Sequence, residues 1–192
     1  SQMKQRTERL FDERIGALPR KVYMLGAEYT PLEFAHSVCM RGEYLAMTSF
    51  THHPFGEAFV LEVPDNYSNE LYYNVPIDVM MKRIERSLRA GHPVCWEGDT
   101  SEVGFDFKRG VAELTKQRPY TQKQRQIEFE NHHTTDDHCM ALIGIAHDEN
   151  GKRYYIAKNS WGTGNQYGGL VYLSEHYVMM KTVAIVVKNI NM

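Results

Sequence analysis

The chain has 192 residues, 42% hydrophobic and 24% charged, proportions that suit one ordinary folded domain or a large part of a bigger protein and exclude a disordered tail. Lys and Arg number 22 against 24 Asp and Glu, so a net charge of -2 offers no broad cationic surface for nucleic-acid phosphates. The longest apolar run, Met140 to Ala146, falls far short of the roughly 20 residues that cross a bilayer, and residues 1–11 lack the apolar stretch of an uncleaved secretory signal.

In chain order, Met3, Leu10, Phe11 and Ile15 recur at helical intervals among charged residues and predict an amphipathic helix with one packed face. Thr30-Pro31 reads as a second helix start, because Thr caps and Pro suits the first helical position. From Gly42 to Asn74, His52-His53-Pro54 and Pro64-Asp65-Asn66 break the pattern into loops with one or two short strands. After Pro76, the stripe Ile77, Met80, Ile84 and Leu88 predicts a helix that Gly91 stops. Pro93 to Trp96 reads as a strand and Ser101 to Gly110 as irregular. Thr121 to Glu130 reads as a polar helix or as part of an exposed insertion from Lys116 to Asn131.

The last third is rich in β-formers, with strands expected at Met140 to Ala146, Arg153 to Lys158, Gly169 to Leu173 and Val183 to Val187. Asn150-Gly151 between the first two is the pair a type I′ hairpin turn demands. That turn would place Asn159 opposite Leu142, with His138 on the same sheet face but offset by roughly 13 Å along a flat strand. Twist or a bend near Asp136-Asp137 has to close the gap.

Cys39, Cys95 and Cys139 are odd in number and widely spaced, which fits neither a disulfide framework nor a paired zinc motif. His138, at the mouth of a strand, and Asn159, followed by Ser160-Trp161, are the residues most suited to chemistry. A neutral imidazole can take a proton from a thiol or hydroxyl, while an amide oxygen on its other nitrogen selects the tautomer and aims the ring. Trp161 could shield that bond from water. The plainer alternative is a strand-end histidine and a turn asparagine serving only their backbone neighbours.

The run Tyr155-Ile156-Ala157-Lys158-Asn159-Ser160-Trp161-Gly162-Thr163, with Gly168-Gly169 and Tyr172, resembles the asparagine region of papain-like cysteine peptidases, and Asp137-His138 before an apolar strand resembles their histidine region. Tyr73-Asn74-Val75-Pro76-Ile77-Asp78, Gly91-His92-Pro93-Val94 and Asp99 look like the bleomycin hydrolase or aminopeptidase C branch. The resemblance implies an α+β fold, with helical and irregular structure over residues 1–90 and a mainly antiparallel β-sheet or barrel domain over 91–192. It implies His138 as general base and acid and Asn159 as its orienting partner, with Trp161 and Asp137 in support. It implies a peptide substrate, no cofactor, homo-oligomers, and a cytoplasmic protein, or a periplasmic or secreted one if a signal has been removed.

The family's nucleophile lies in a Cys-Gly-x-Cys-Trp segment well over 100 residues before the histidine, and that segment is absent here. Cys95-Trp96 lacks the flanking residues, Cys39 lacks the context, and alternation turns Cys139 to the face opposite His138. The chain therefore reads as the C-terminal part of a peptidase whose nucleophile comes from an N-terminal half on another segment, inactive alone and prone to associate with that half through apolar surface. A start at Ser1 without an initiator methionine agrees with a tagged, processed or proteolytic form. Aminopeptidase action comes from the resemblance alone, since Ile190-Asn191-Met192 follows the last strand almost directly and shows no cleft-filling arm. Two rivals remain at this point: a non-catalytic papain-like peptide-binding module, and a zinc site drawn from His132, His133, Asp136, His138 and Cys139.

Overall fold

The computed structural model describes residues 2–115 and 120–189, so four residues of the expected insertion, Lys116 to Pro119, and the terminal Ile190-Asn191-Met192 lie outside the described residues. Contacts divide the chain into two units, Ser1–Glu43 and Tyr44–Met192.

The first unit carries α1 (Gln2–Ile15), β1 (Val22–Met24), β2 (Ala27–Tyr29) and α2 (Pro31–Val38). No residue of α1 is buried, so the face expected to pack leaves Leu10 and Phe11 half exposed. A capping box starts α2: Thr30 Oγ1 accepts from Glu33 N at 3.2 Å and Glu33 Oε2 accepts from Thr30 N at 2.7 Å. The β1–β2 hairpin turns through Leu25 and Gly26, both at positive φ. Leucine carries no signal for that conformation, which is why the sequence pattern does not announce this turn.

The second unit is a ten-stranded, mostly antiparallel sheet with three helices. Its strands are β3 (Tyr44–Thr48), β4 (Ala58–Val60), β5 (Leu71–Asn74), β6 (Val94–Gly98), β7 (Phe105–Asp106), β8 (Val111–Ala112), β9 (His138–His147), β10 (Arg153–Lys158), β11 (Leu170–Ser174) and β12 (Thr182–Lys188). The order is β4-β5-β3-β12-β6-β9-β10-β11-β8-β7, with β3–β5 and β8–β11 parallel. The segment before Pro76 thus supplies three strands rather than one or two. Helix α3 (Ile77–Arg89) turns Ile77, Met80 and Ile84 onto the sheet, where they meet Trp96, Leu142 and Val187. Each large apolar side chain buried there contributes roughly 1.5–3 kcal/mol.

Residues 122–130 form α4 (Gln122–Glu130), capped by Thr121, and it is not an exposed insertion: Arg125, Gln126 and Glu128 are buried. Arg125 Nε donates to the Ser49 carbonyl at 2.9 Å, and its guanidinium sits over the Phe50 ring. Polar periodicity conceals such a helix because much of its inward face consists of polar side chains that pair with backbone groups, beside the Phe129 ring stacked on Phe50.

The β9–β10 hairpin departs from the expected two-residue turn. Asn150 keeps a negative φ, and only Gly151 is left-handed. The chain turns through Asp148 to Lys152, with Asp148 Oδ1 accepting from Asn150 N and Lys152 N at 2.9 and 2.8 Å. Arg153 therefore pairs with His147, one step from the expected register, and a bulge between Ile156 and Ala157 adds a second step, setting Ala157 against Leu142 and Lys158 against Ala141. Continued by one residue, that register sets Asn159 level with Met140, only two residues, or roughly 7 Å, from His138.

Candidate active site

His138 opens β9 opposite Gly98 of β6. A Cβ at Gly98 would overlap the carbonyl oxygen of Lys181 and the Trp96 ring, so only glycine lets these strands and the start of β12 approach so closely. The segment leading to His138 is pinned from below. Lys181, 1% exposed, donates from Nζ to the His133 carbonyl and lies 3.3 Å from Asp99 Oδ2 and 2.9 Å from Glu102 Oε2. Asp99 accepts from Thr135 N at 3.3 Å, and Thr134 Oγ1 donates to the Met180 carbonyl at 3.3 Å.

Asn159 follows β10 and is buried. Its Oδ1 accepts from Ser160 N at 2.7 Å and lies 2.8 Å from His138 Nε2. The backbone donor identifies that atom as the amide oxygen, so His138 Nε2 carries the hydrogen, which in the neutral ring leaves the lone pair on Nδ1. Among the described residues Nδ1 has no hydrogen-bond partner. The Asn159 Nδ2 group is buried without one. The chain then loops through Gly162 to Gly169, whose φ of +92° and contact with the Gly162 carbonyl exclude a side chain. Asn165 ties the loop by accepting from Tyr167 N and Gly169 N and donating to Phe107 O and Leu170 O. Trp161 lies 4.8 Å from His138 between ring centroids and edge-on to Phe105 and Phe107. Trp161 is 48% exposed and covers one side of the imidazole, and His138 itself is half-buried.

Asp137 does not touch His138. It accepts from Thr100 N and Oγ1, Ser101 N and Oγ, and Thr135 Oγ1. Burial pushes its pKa up, but these donors outweigh burial and hold the carboxyl below its usual range. Asp137 thus anchors the turn before the histidine. Glu97 and Asp136 share a hydrogen bond; burial first, then Asp136, raises Glu97 to about 8.

The five residues of the zinc alternative go separate ways. His138 meets Asn159, Asp136 meets Glu97, Cys139 lies 3.3 Å from Cys95 between sulfurs, and His133 engages Lys181 through its carbonyl. His132 takes a left-handed turn conformation. Among the described residues, the one group of three potential ligands is His52, His53 and Glu62. Gln126 donates to His52 Nδ1 while its oxygen accepts from Thr51 N, which makes His52 Nε2 a donor to Glu62 and not a free ligand. Sequence reasoning passed over Gly98 and Lys181, and named Asp99 only within the branch resemblance, without a role in supporting the site. A lysine beside the apolar run Tyr177 to Met180 was the one available signal.

Beyond the geometry, residues 20–192 match the model of the Peptidase C1-like family. The chain is 26% identical over 158 residues to aminopeptidase W of Lactobacillus delbrueckii subsp. lactis, and 26% identical over 155 residues to aminopeptidase E of Lactobacillus helveticus. Each alignment covers 74% of this chain and 35% of the relative, so the chain spans about a third of the length of the curated relatives it matches. The crystal structure of PepW from Lactobacillus rhamnosis HN001 superposes with a TM-score of 0.74 over 97% of this chain and 47% of that one, at 17% identity, which establishes a shared fold. With the family match running through both the histidine strand and the asparagine loop of this α+β, papain-like fold, the chain belongs to the Peptidase C1-like family.

Proposed function

We propose that this chain is the histidine- and asparagine-bearing part of a cysteine-type aminopeptidase, whose thiol nucleophile is supplied by an N-terminal half outside these residues. The observation that carries the reading is the 2.8 Å bond from His138 Nε2 to Asn159 Oδ1, which in the neutral ring leaves a lone pair on Nδ1 with no hydrogen-bond partner among the described residues. Neither Cys95 nor Cys139 supplies the missing sulfur, because they pair with each other through alternate residues on the sheet face that His138 does not occupy.

In this mechanism His138 Nδ1 takes the proton of the incoming thiol, and the thiolate attacks the substrate carbonyl. The imidazolium then returns the proton to the leaving amine as the C–N bond breaks, and the neutral imidazole so formed deprotonates the water that hydrolyses the thioester. Asn159 holds the ring through both transfers without adding charge. Asp137, Asp99 and Lys181 act at one remove by fixing the turn before His138. A peptide with a free N-terminus is the substrate class suggested by the names of the relatives, and the reaction requires no cofactor.

The test is co-expression with a polypeptide carrying a Cys-Gly-x-Cys-Trp segment from the parent reading frame, assayed on aminoacyl amides. His138→Ala should lower turnover by about 10²–10⁴-fold. Rapid labelling of this chain alone by an irreversible thiol-directed peptide probe would refute the reading.

A further inference from the structure

Three features outside the histidine–asparagine pair carry chemistry: the His52–His53–Glu62 group, the Glu97–Asp136 acid pair, and the thiols of Cys95 and Cys139. The first is tied up by Gln126 and the second by its shared hydrogen bond. The thiols remain.

Cys95 and Cys139 stand on adjacent antiparallel strands, β6 and β9, whose register pairs Cys95 with Ala141 and Glu97 with Cys139. They are therefore diagonal neighbours on one face. Their sulfurs approach to 3.3 Å, both are free, and both are exposed. They open onto a concavity of about 590 Å³ that Tyr44, Val94, Ala141 and Val186 also line and that reaches Asn159 and Ser160 of the candidate site, so a small solute reaches either sulfur. We propose that Cys95 and Cys139 form an oxidisable dithiol that takes two-electron oxidants of the hydroperoxide class and closes to a reversible cross-strand disulfide. This inference is independent of the peptidase reading.

The two sulfurs share one hydrogen bond in which either can be the donor. With Cys139 donating, Cys95 is drawn down to about 7 and Cys139 is pushed up, so about half of Cys95 is thiolate at pH 7 and it is the attacking sulfur. Its lone pair displaces hydroxide from the peroxide, giving a sulfenic acid on Cys95. Cys139 loses its proton, attacks the Cys95 sulfur and expels a second hydroxide. Two protons released by the thiols convert the hydroxides to water, so two thiols and one peroxide give one disulfide and two waters. Closing from 3.3 Å to the roughly 2.05 Å of a disulfide draws a diagonal pair together. Because both sulfurs are exposed, the bridge is accessible to reduction by a monothiol such as glutathione.

Cys39, exposed and 3.9 Å from a backbone carbonyl, offers a competing single thiol, so the test uses the full chain with Cys39→Ser. Treatment with hydrogen peroxide should lower the intact mass by about 2 Da, link the Cys95 and Cys139 peptides, and be reversed by glutathione. In the Cys139→Ser chain, Cys95 should pass instead to the sulfinic acid, with a gain of about 32 Da. A wild-type pair that yields sulfinic products or linked dimers with no internal bridge overturns the proposal. So does Cys95 oxidation that proceeds identically with and without Cys139.

Discussion

Replacement of Lys181 by methionine tests whether a buried charge holds the segment that presents His138. The ammonium lies 3.3 Å from Asp99, itself 3% exposed, and donates to the His133 carbonyl. Methionine keeps most of the apolar stem, so the cavity term is small and the loss is chiefly electrostatic. Removing one member of a buried ion pair costs about 3–5 kcal/mol, a large part of a domain stability of about 5–15 kcal/mol. With a urea slope of about 2 kcal/mol per molar, the unfolding midpoint at pH 7.5 should fall by about 1.5–2.5 M. Without its cation Asp99 has a folded pKa further above its unfolded value. A group raised in this way contributes stability below its unfolded pKa and loses it as pH rises through the folded one, so the deficit should shrink on going from pH 7.5 to pH 5. Amide exchange at residues 134–138 should quicken, because the His133 and Thr135 anchors are released. Lys181→Arg, which keeps the charge, should be milder than Lys181→Met. A loss under about 1 kcal/mol that is equal at both pH values would refute the clamp.

In the reconstituted enzyme, Asn159→Ala should reduce kcat by about 10- to 100-fold with little change in KM, since one hydrogen bond to a charged group, worth about 1.5–3 kcal/mol, is lost while the base survives; an unchanged kcat would remove Asn159 from the mechanism. Glu97, raised to about 8 by burial and Asp136, should lend stability below about pH 4.5 that fades as pH rises through 8. Thermal melts from pH 5 to 9 should therefore decline less steeply for Glu97→Gln than for the wild type, and parallel curves would refute that assignment. Gly98→Ala drives a methyl against the Lys181 carbonyl and should destabilise by about 1–3 kcal/mol; a melting temperature within error of the wild type would contradict the close approach of β6 and β12.

Much of the architecture was legible before any coordinates. The stripe Ile77, Met80, Ile84 became the buried face of α3, Thr30-Pro31 opened α2, and the β-rich final third formed the strands on which the candidate site is built. These features are local: periodicity, capping and β-propensity act over a few residues and leave their mark in composition. The residues around Asn159, and Asp137-His138, also sufficed to point to the family, and the family match agrees.

Other features depended on neighbours far along the chain. Asn150-Gly151 pointed to a tight turn, but the Asp148 carboxylate captured two backbone donors and lengthened it, and the bulge at Ile156/Ala157 moved the register again. Together those two steps bring Asn159 level with Met140, within two residues of His138, which no pairing count from the turn could anticipate. The burial of Arg125, Lys181 and Asp99 leaves no local mark because burial of an ion is decided by the partners it meets, and those partners lie 76, 48 and 82 positions away. Sequence by itself determined which residues could do the chemistry and which elements would carry them. Tertiary structure alone decided that an imidazole and a carboxamide meet at 2.8 Å, and that two thiols face each other behind them, because strand register and buried charge are properties of the assembled sheet.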